Sequence, residues 1–181
     1  MMDAKNYSVQ ETLKNGLQVT VRAIRPDDDK TLMAAFKELD ESTVYLRFFA
    51  PKPEISSKEL TEAIDVDFVR TVALVVCLKN GAGEKIIGGG RYIAFGNAEP
   101  QDMAEVAFMV EEDYHGLGIA GKVLRHLAGI AKDKGIVQFH AEVLPENKGM
   151  LTVFNRSGFP VKQEFADGLA HVTLSLKGDG E

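Results

Sequence analysis

The stretch VEEDYHGLGIAGKVLRHLAGIAK, Val110 to Lys132, decides how the chain is read. Its centre, Gly116-Leu117-Gly118-Ile119-Ala120-Gly121-Lys122, satisfies G-x-G-x-x-G and G-x-x-x-x-G-K together. With His115 in front, it also approaches (Q/R)-x-x-G-x-(G/A). One piece of physics underlies all three patterns. Glycines let the chain turn so that backbone N–H groups face an anion, and the positive end of the following helix adds to the attraction. The stretch points to a phosphate-bearing ligand, and the rest of the chain must say which.

The chain has 181 residues, 45% of them hydrophobic, which is enough for one well-cored domain. We place that domain over 1–181, with a core from about 17 to 176 and residues 1–16 as an N-terminal hairpin strand. No apolar run approaches the roughly 20 residues of a membrane span. The N-terminal MMDAKNYSVQETLKNG lacks the apolar centre of a signal peptide. The single cysteine, Cys77 in VALVVCLK, reads as a packed core side chain and cannot form a disulfide framework. A cytoplasmic location is the default expectation. The net charge of −6 argues against a general nucleic-acid binder, which needs clustered Lys and Arg. It is compatible with a basic acceptor such as a lysine or another amine.

SVQETL, the turn KNG and LQVTVRAI read as a hairpin around Asn15-Gly16. Pro26-Asp27-Asp28-Asp29 opens a helix to about Leu39, and SSKELTEAI reads as a second, Ser-capped helix. RTVALVVCLK and KIIGGGRYIAF form two strands about the turn NGAGE, and DMAEVAFMV is a third, leading into the glycine loop. The helix after the loop carries Ile119, Val123, Leu127 and Ala131 on one stripe, with Leu124 and Ile130 beside it. IVQFHAEVL is a strand, ENKGMLTVFNRSG a helix ending at Gly158, and HVTLSL a last strand. The order β-β-α-α-β-β-β-α-β-α-β predicts an α/β (α+β) chain, a mixed sheet with helices on its faces.

A nucleotide-triphosphate loop needs Ser or Thr after its Lys to hold magnesium, and Val123 stands there instead. A dinucleotide loop finds its ribose-binding acid in Glu142, about 20 residues on. That fold, however, opens with the fingerprint and adds βα units afterwards, whereas most strands here precede the loop. A loop serving only a tight turn would not need three glycines in six residues.

The third pattern gains support from outside the loop. VEEDYHGLGIAGKVL, then a strand, then VLPENKGMLTVFNRSGF resembles the paired signature of the GNAT superfamily, the acyl-CoA-dependent N-acyltransferases. His115 stands at that family's Gln or Arg position, Gly118 and Ala120 fall on its small positions, and Asn147 opens the next helix. VRAIRPDDD, YLRFF, AEVAFMV and ENKGML resemble more narrowly the catalytic domain of bacterial Pat-type protein-lysine acetyltransferases, without the regulatory or synthetase-like modules often fused to it. The resemblance implies a mixed, mostly antiparallel sheet flanked by helices, with two strands splayed around an acyl-CoA cleft. Phe108, Met109 and Val110 would lend backbone groups to the pantetheine arm, like an added strand. The amides of Leu117, Gly118, Ile119, Ala120, Gly121 and Lys122, after Gly116, would cap the pyrophosphate. Asn147 would bond the pantetheine, cap its own helix, or do both.

The implied reaction moves an acetyl group from acetyl-CoA, as cosubstrate and without a metal, to a primary amine, with protein lysine preferred. A non-catalytic acyl-CoA sensor and a small-amine acetyltransferase are the alternatives. No nucleic-acid or membrane partner is expected, and the oligomeric state is open, a homodimer among the options. Lysine is protonated at neutral pH, so a general base near the acceptor would help. Glu105 is the candidate, on one strand face with Ala107 and Met109, whose apolar character would raise its pKa. Glu142 is the runner-up, and His140 reads as structural. Where many GNAT enzymes have a Tyr to protonate the leaving thiolate, this chain has Phe154, with Tyr45 and Tyr114 as possible stand-ins. Arg156 would meet CoA phosphates or favour its helix dipole. YLRFF is expected between the first two helices, with Arg47 either in the acceptor site or paired with the acidic DDD run.

Overall fold

The computed structural model describes residues 2–177. Residue 1 and residues 178–181, included in the single domain expected over 1–181, lie outside the described residues. Strands β1 (Ser8–Thr12) and β2 (Gln18–Ala23) form the expected hairpin, where the Asn15 side chain accepts the Leu17 N–H at 3.1 Å. Then come β3 (Thr71–Asn80), β4 (Gly83–Phe95), β5 (Met103–Val110), β6 (Gln138–Val143), β7 (Val161–Ala166) and β8 (Leu169–Ser175). They build one eight-stranded sheet in the order β1-β2-β3-β4-β5-β6-β8-β7. Every pairing is antiparallel except β5 with β6. Among the described residues, no helix is long and apolar enough to cross a membrane.

Helices α1 (Asp29–Lys37), α2 (Glu41–Phe48) and α3 (Ser57–Ile64) lie between β2 and β3 in sequence. Helix α4 (Ile119–Asp133) joins β5 to β6, and α5 (Lys148–Asn155) follows β6. Ile119, Val123, Leu127 and Ala131 recur every four residues and are all buried, as are Leu124 and Ile130. That stripe packs α4 across β3, β4 and β5. Fully burying each Leu, Ile or Val contributes roughly 1.5–3 kcal/mol, so α4 is fixed against the sheet far more strongly than propensity alone would hold it. Cys77 is buried in β3, where loss of solvent pushes its thiol up to about 12. It is a core side chain, not a nucleophile.

Three features differ from the sequence reading. The YLRFF segment does lie between the two expected helices, but most of it forms a further helix of its own, α2. Eight residues make a marginal helix in water. Tertiary contacts hold it: the Asp40 N–H donates to Glu112 at 2.7 Å, and the Phe48 ring meets Phe36 edge-on at 6.4 Å. Strand β7 was also not foreseen. It is a largely exposed edge strand, formed by pairing with β8 rather than by any hydrophobic alternation of its own. Finally, the acidic DDD run finds Arg22, not Arg47. Two Arg22 nitrogens reach the Asp28 carboxylate at 2.8 and 2.9 Å, and both residues are buried.

Candidate active site

The site begins where two strands stop pairing. β5 and β6 share three registered positions, Met103 with Gln138, Ala104 with Phe139 and Glu105 with His140. Beyond them β5 runs on to Val110 with no partner on that side, while β6 stays paired with β8. The Glu111 N–H donates to Ile87 O at 2.9 Å, which sets the alternation of the β5 backbone. The main-chain groups of Ala107 and Met109 therefore turn to β4, and those of Val106, Phe108 and Val110 face the opening. Phe108 and Val110 hold the positions expected for a strand-like ligand, whereas the Met109 backbone is taken by its pairing with Gly89. The Val110 carbonyl accepts from His115 Nε2 at 2.7 Å, so the His115 side chain is turned onto the same edge.

A cleft of about 1100 Å³ follows from this divergence. Its walls include β5 from Glu105 to Val110, the loop from Tyr114 to Lys122, the end of β6 and the start of α5. Residues Thr43 and Leu46 to Phe49 of the α2 region close one side, and Thr12 to Lys14 of the first hairpin close another. Those hairpin residues had no local signal in the sequence, because their approach to the loop is purely tertiary.

The loop is built to receive an anion. Gly116 and Gly118 have φ of 77° and 89°, left-handed values that a side chain disfavours, and α4 starts directly after Gly118. None of the N–H groups from Gly116 to Gly121 finds an acceptor within the described residues. These are the open donors of a helix N-terminus. Lys122 departs from the expected cap. Its N–H already donates to Gly118 O at 3.1 Å, and its ammonium lies 3.3 Å from Glu11. Asn147 does cap α5, its Oδ1 accepting the Met150 N–H at 3.2 Å, and its side chain also lines the cleft.

The candidate base, Glu105, stands at the apex of the divergence and lines the cleft. The apolar shielding foreseen from Ala107 and Met109 is not realised, because the Glu105 side chain is exposed. Its charged neighbours are cations instead. Arg91, on β4 opposite Ala107, is one step along the same sheet face, and Arg47 is near enough to feel both charges. Burial first, and then the positive charge of Arg91, push the Arg47 guanidinium down to about 10, against the pull of Glu105. Glu142 also lines the cleft but lies 3.9 Å from His171 Nδ1, so it has a competing partner. His140 packs edge-on against Phe95 at 5.4 Å and meets Gln138 at 3.1 Å, away from the cleft wall. Glu111, the next residue after β5, stands outside the cleft wall. It is buried, one of its carboxylate oxygens has no partner, and desolvation raises its pKa.

Phe154 is buried, edge-on to Phe108 at 6.1 Å, and carries no proton to give. Of the suggested stand-ins, Tyr114 lines the cleft and Tyr45 does not. Arg156 lines it as well. Among the described residues there is no group of three or more His, Cys, Asp or Glu side chains placed to hold a metal ion.

Comparison with known proteins gives this geometry a family. Residues 18–160 match the family model described as an acetyltransferase (GNAT) domain. An acetyltransferase of Pseudomonas aeruginosa is 26% identical over 149 residues, covering 82% of this chain and 78% of its own length. Acetyltransferase Pat of Mycolicibacterium smegmatis is 29% identical over 147 residues, 81% of this chain but 42% of that relative, so the chain spans less than half of it. The crystal structure of the GNAT domain of S. lividans PAT superposes with a TM-score of 0.86 at 34% identity, covering 93% of this chain and 96% of that one.

Proposed function

The chain belongs to the acetyltransferase (GNAT) family, and on that premise we propose that it moves the acetyl group of acetyl-CoA to lysine side chains of proteins. It is an acetyl-CoA-dependent N-acetyltransferase. The observation that carries the transfer reading is the divergence of β5 from β6, with Glu105 at its apex and the open amides of the loop at its mouth. The Pat-type segments in the sequence, and the relatives that bear that name, support a protein lysine as acceptor.

The residues divide the work by position. The amides from Leu117 to Gly121 receive the pyrophosphate, with the N-terminal end of α4 adding its partial positive charge. The backbone groups of Phe108 and Val110, with the Asn147 side chain, run alongside the pantetheine arm as a neighbouring strand would. A β5 amide facing the opening polarises the thioester carbonyl. The acceptor amine arrives at the Glu105 end. Glu105 takes a proton from the lysine ammonium, the free amine attacks the carbonyl carbon, and the C–N bond forms as the C–S bond breaks. With Phe154 at the position of the usual Tyr, the second proton, shed by the nitrogen as the amide forms, passes through water to the departing CoA thiolate. Arg47 and Arg91 place positive charge at the Glu105 end of the cleft.

The test is a competition among folded protein acceptors, lysine peptides and a panel of small amines, scored by kcat/KM with acetyl-CoA. Proteins and lysine peptides are expected to lead. A small amine ahead of every protein by a wide margin would make this a metabolite acetyltransferase. Acetyl-CoA binding with no transfer to any amine would make it a sensor.

A further inference from the structure

We infer that the N-terminal hairpin is part of the coenzyme site, and that Lys14 on its turn is a ligand for a phosphate of CoA. The inference rests on acetyl-CoA occupying the cleft as described above, and it adds a residue from a segment outside the matched range of 18–160. Lys14 is tied to the loop through its backbone, its N–H donating to Leu117 O at 3.3 Å. Its side chain follows the same path. A Cβ placed on Gly118 would lie 3.6 Å from Lys14 Cε. The end of the Lys14 side chain therefore lies beside Gly118, within the run of open amides, and Lys14 lines the cleft.

Charge strengthens the case. Lys122 is the cation that the sequence places at the loop, yet its ammonium is engaged with Glu11. Lys14 is exposed, and no carboxylate among the described residues lies within 4.0 Å of its ammonium. A flexible lysine with no ion-pair partner, held next to a row of outward amides, is suited to bind phosphate as a point charge.

The hairpin is also fastened where this role requires. Glu11 spans two residues of α4, reaching Lys122 at 3.3 Å and His126 Nε2 at 2.7 Å. His126 Nδ1 in turn meets the Tyr7 hydroxyl. Burial works to raise the Glu11 carboxyl, but the hydrogen bonds from His126 and Lys122 hold it below the usual carboxylate range. Glu11 is a positioning residue in this scheme. It clasps β1 to α4, so that the turn bearing Lys14 stays over the loop.

Calorimetry of the full chain with CoA and with dephospho-CoA, which lacks the 3′-phosphate, tests this. Lys14→Ala should weaken CoA binding by about tenfold, the usual worth of a charge-assisted contact, while Lys14→Arg retains most of the affinity. If the same loss appears with dephospho-CoA, Lys14 holds the pyrophosphate; if the loss is confined to CoA, it holds the 3′-phosphate. Glu11→Gln should weaken CoA binding in the wild-type background and have little further effect in Lys14→Ala, because it acts through Lys14. Lys14 is exposed and unpaired, so the melting temperature of Lys14→Ala should match the wild type. Wild-type protein that binds CoA while Lys14→Ala binds it equally tightly would overturn this inference alone. Wild-type protein that binds no CoA would overturn the coenzyme reading as well.

Discussion

Glu105 and His140 face each other at the last registered position between β5 and β6, and the cleft opens at the next residue of each strand. The two side chains then meet different surroundings. His140 is held by Gln138 and the Phe95 ring, while Glu105 lines the cleft beside two arginines. The pair marks where the sheet stops being a scaffold and becomes a binding site.

Glu105→Gln should lower kcat by roughly 10²- to 10⁴-fold, the usual worth of a general base, with CoA affinity little changed. Steady-state kinetics beside calorimetry measure both. Full activity in Glu105→Gln together with loss in Glu142→Gln would transfer the role to Glu142. Full activity in both would leave proton removal to water.

Gly118→Val should weaken acetyl-CoA binding at least tenfold, about 1.4 kcal/mol. Two effects act together. The φ of 89° at Gly118 is strained for a β-branched residue, and the added side chain stands among the open amides. Titration calorimetry on protein whose circular dichroism matches wild type would read the loss, and unchanged affinity would argue against the loop as the phosphate site.

Asp28→Asn should destabilise the fold by about 3–5 kcal/mol at neutral pH, because the buried Arg22 loses its two-pronged counter-charge and keeps only the part-exposed Glu84 at 3.3 Å. Burial works to raise the Asp28 carboxyl, but hydrogen bonds from Arg22 and the Arg25 N–H keep it below its ordinary value. A carboxyl lowered by folding contributes stability above its unfolded pKa, about 3.9, and loses it as pH falls through the folded value. The gap between wild type and variant should thus be constant from pH 7 to about 5 and narrow below 4. Urea unfolding at a series of pH values checks this, and a gap that widened in acid would contradict it.

Transfer to protein acceptors should slow as ionic strength rises past about 0.15 M, where the Debye length is near 8 Å. The net charge of −6 attracts lysine-rich surfaces over long range, and salt screens that attraction. A small neutral amine should show much less dependence. Initial rates at several salt concentrations would measure the difference, and equal slopes for both acceptors would remove steering from the account.

Much of this protein is written in local sequence. The four-residue stripe of α4, the glycines ahead of it and the Asn147 cap depend on neighbours a few positions away, so periodicity and turn chemistry reveal them. The strand patterns likewise announce a mixed sheet, because alternation reports which face is buried. Other features belong to the tertiary structure alone. Helix α2 is too short to declare itself and exists through Glu112 and Phe36, while β7 exists through β8. The Met109 backbone turns away from the cleft because Gly89 pairs with it, a register that no local pattern encodes. Lys122 is diverted to Glu11, and Lys14 arrives at Gly118, because a hairpin distant in sequence docks on the start of α4. Sequence could name the loop that faces a phosphate, since its conformation is local. Which charges stand around it depends on segments that meet only when the chain folds.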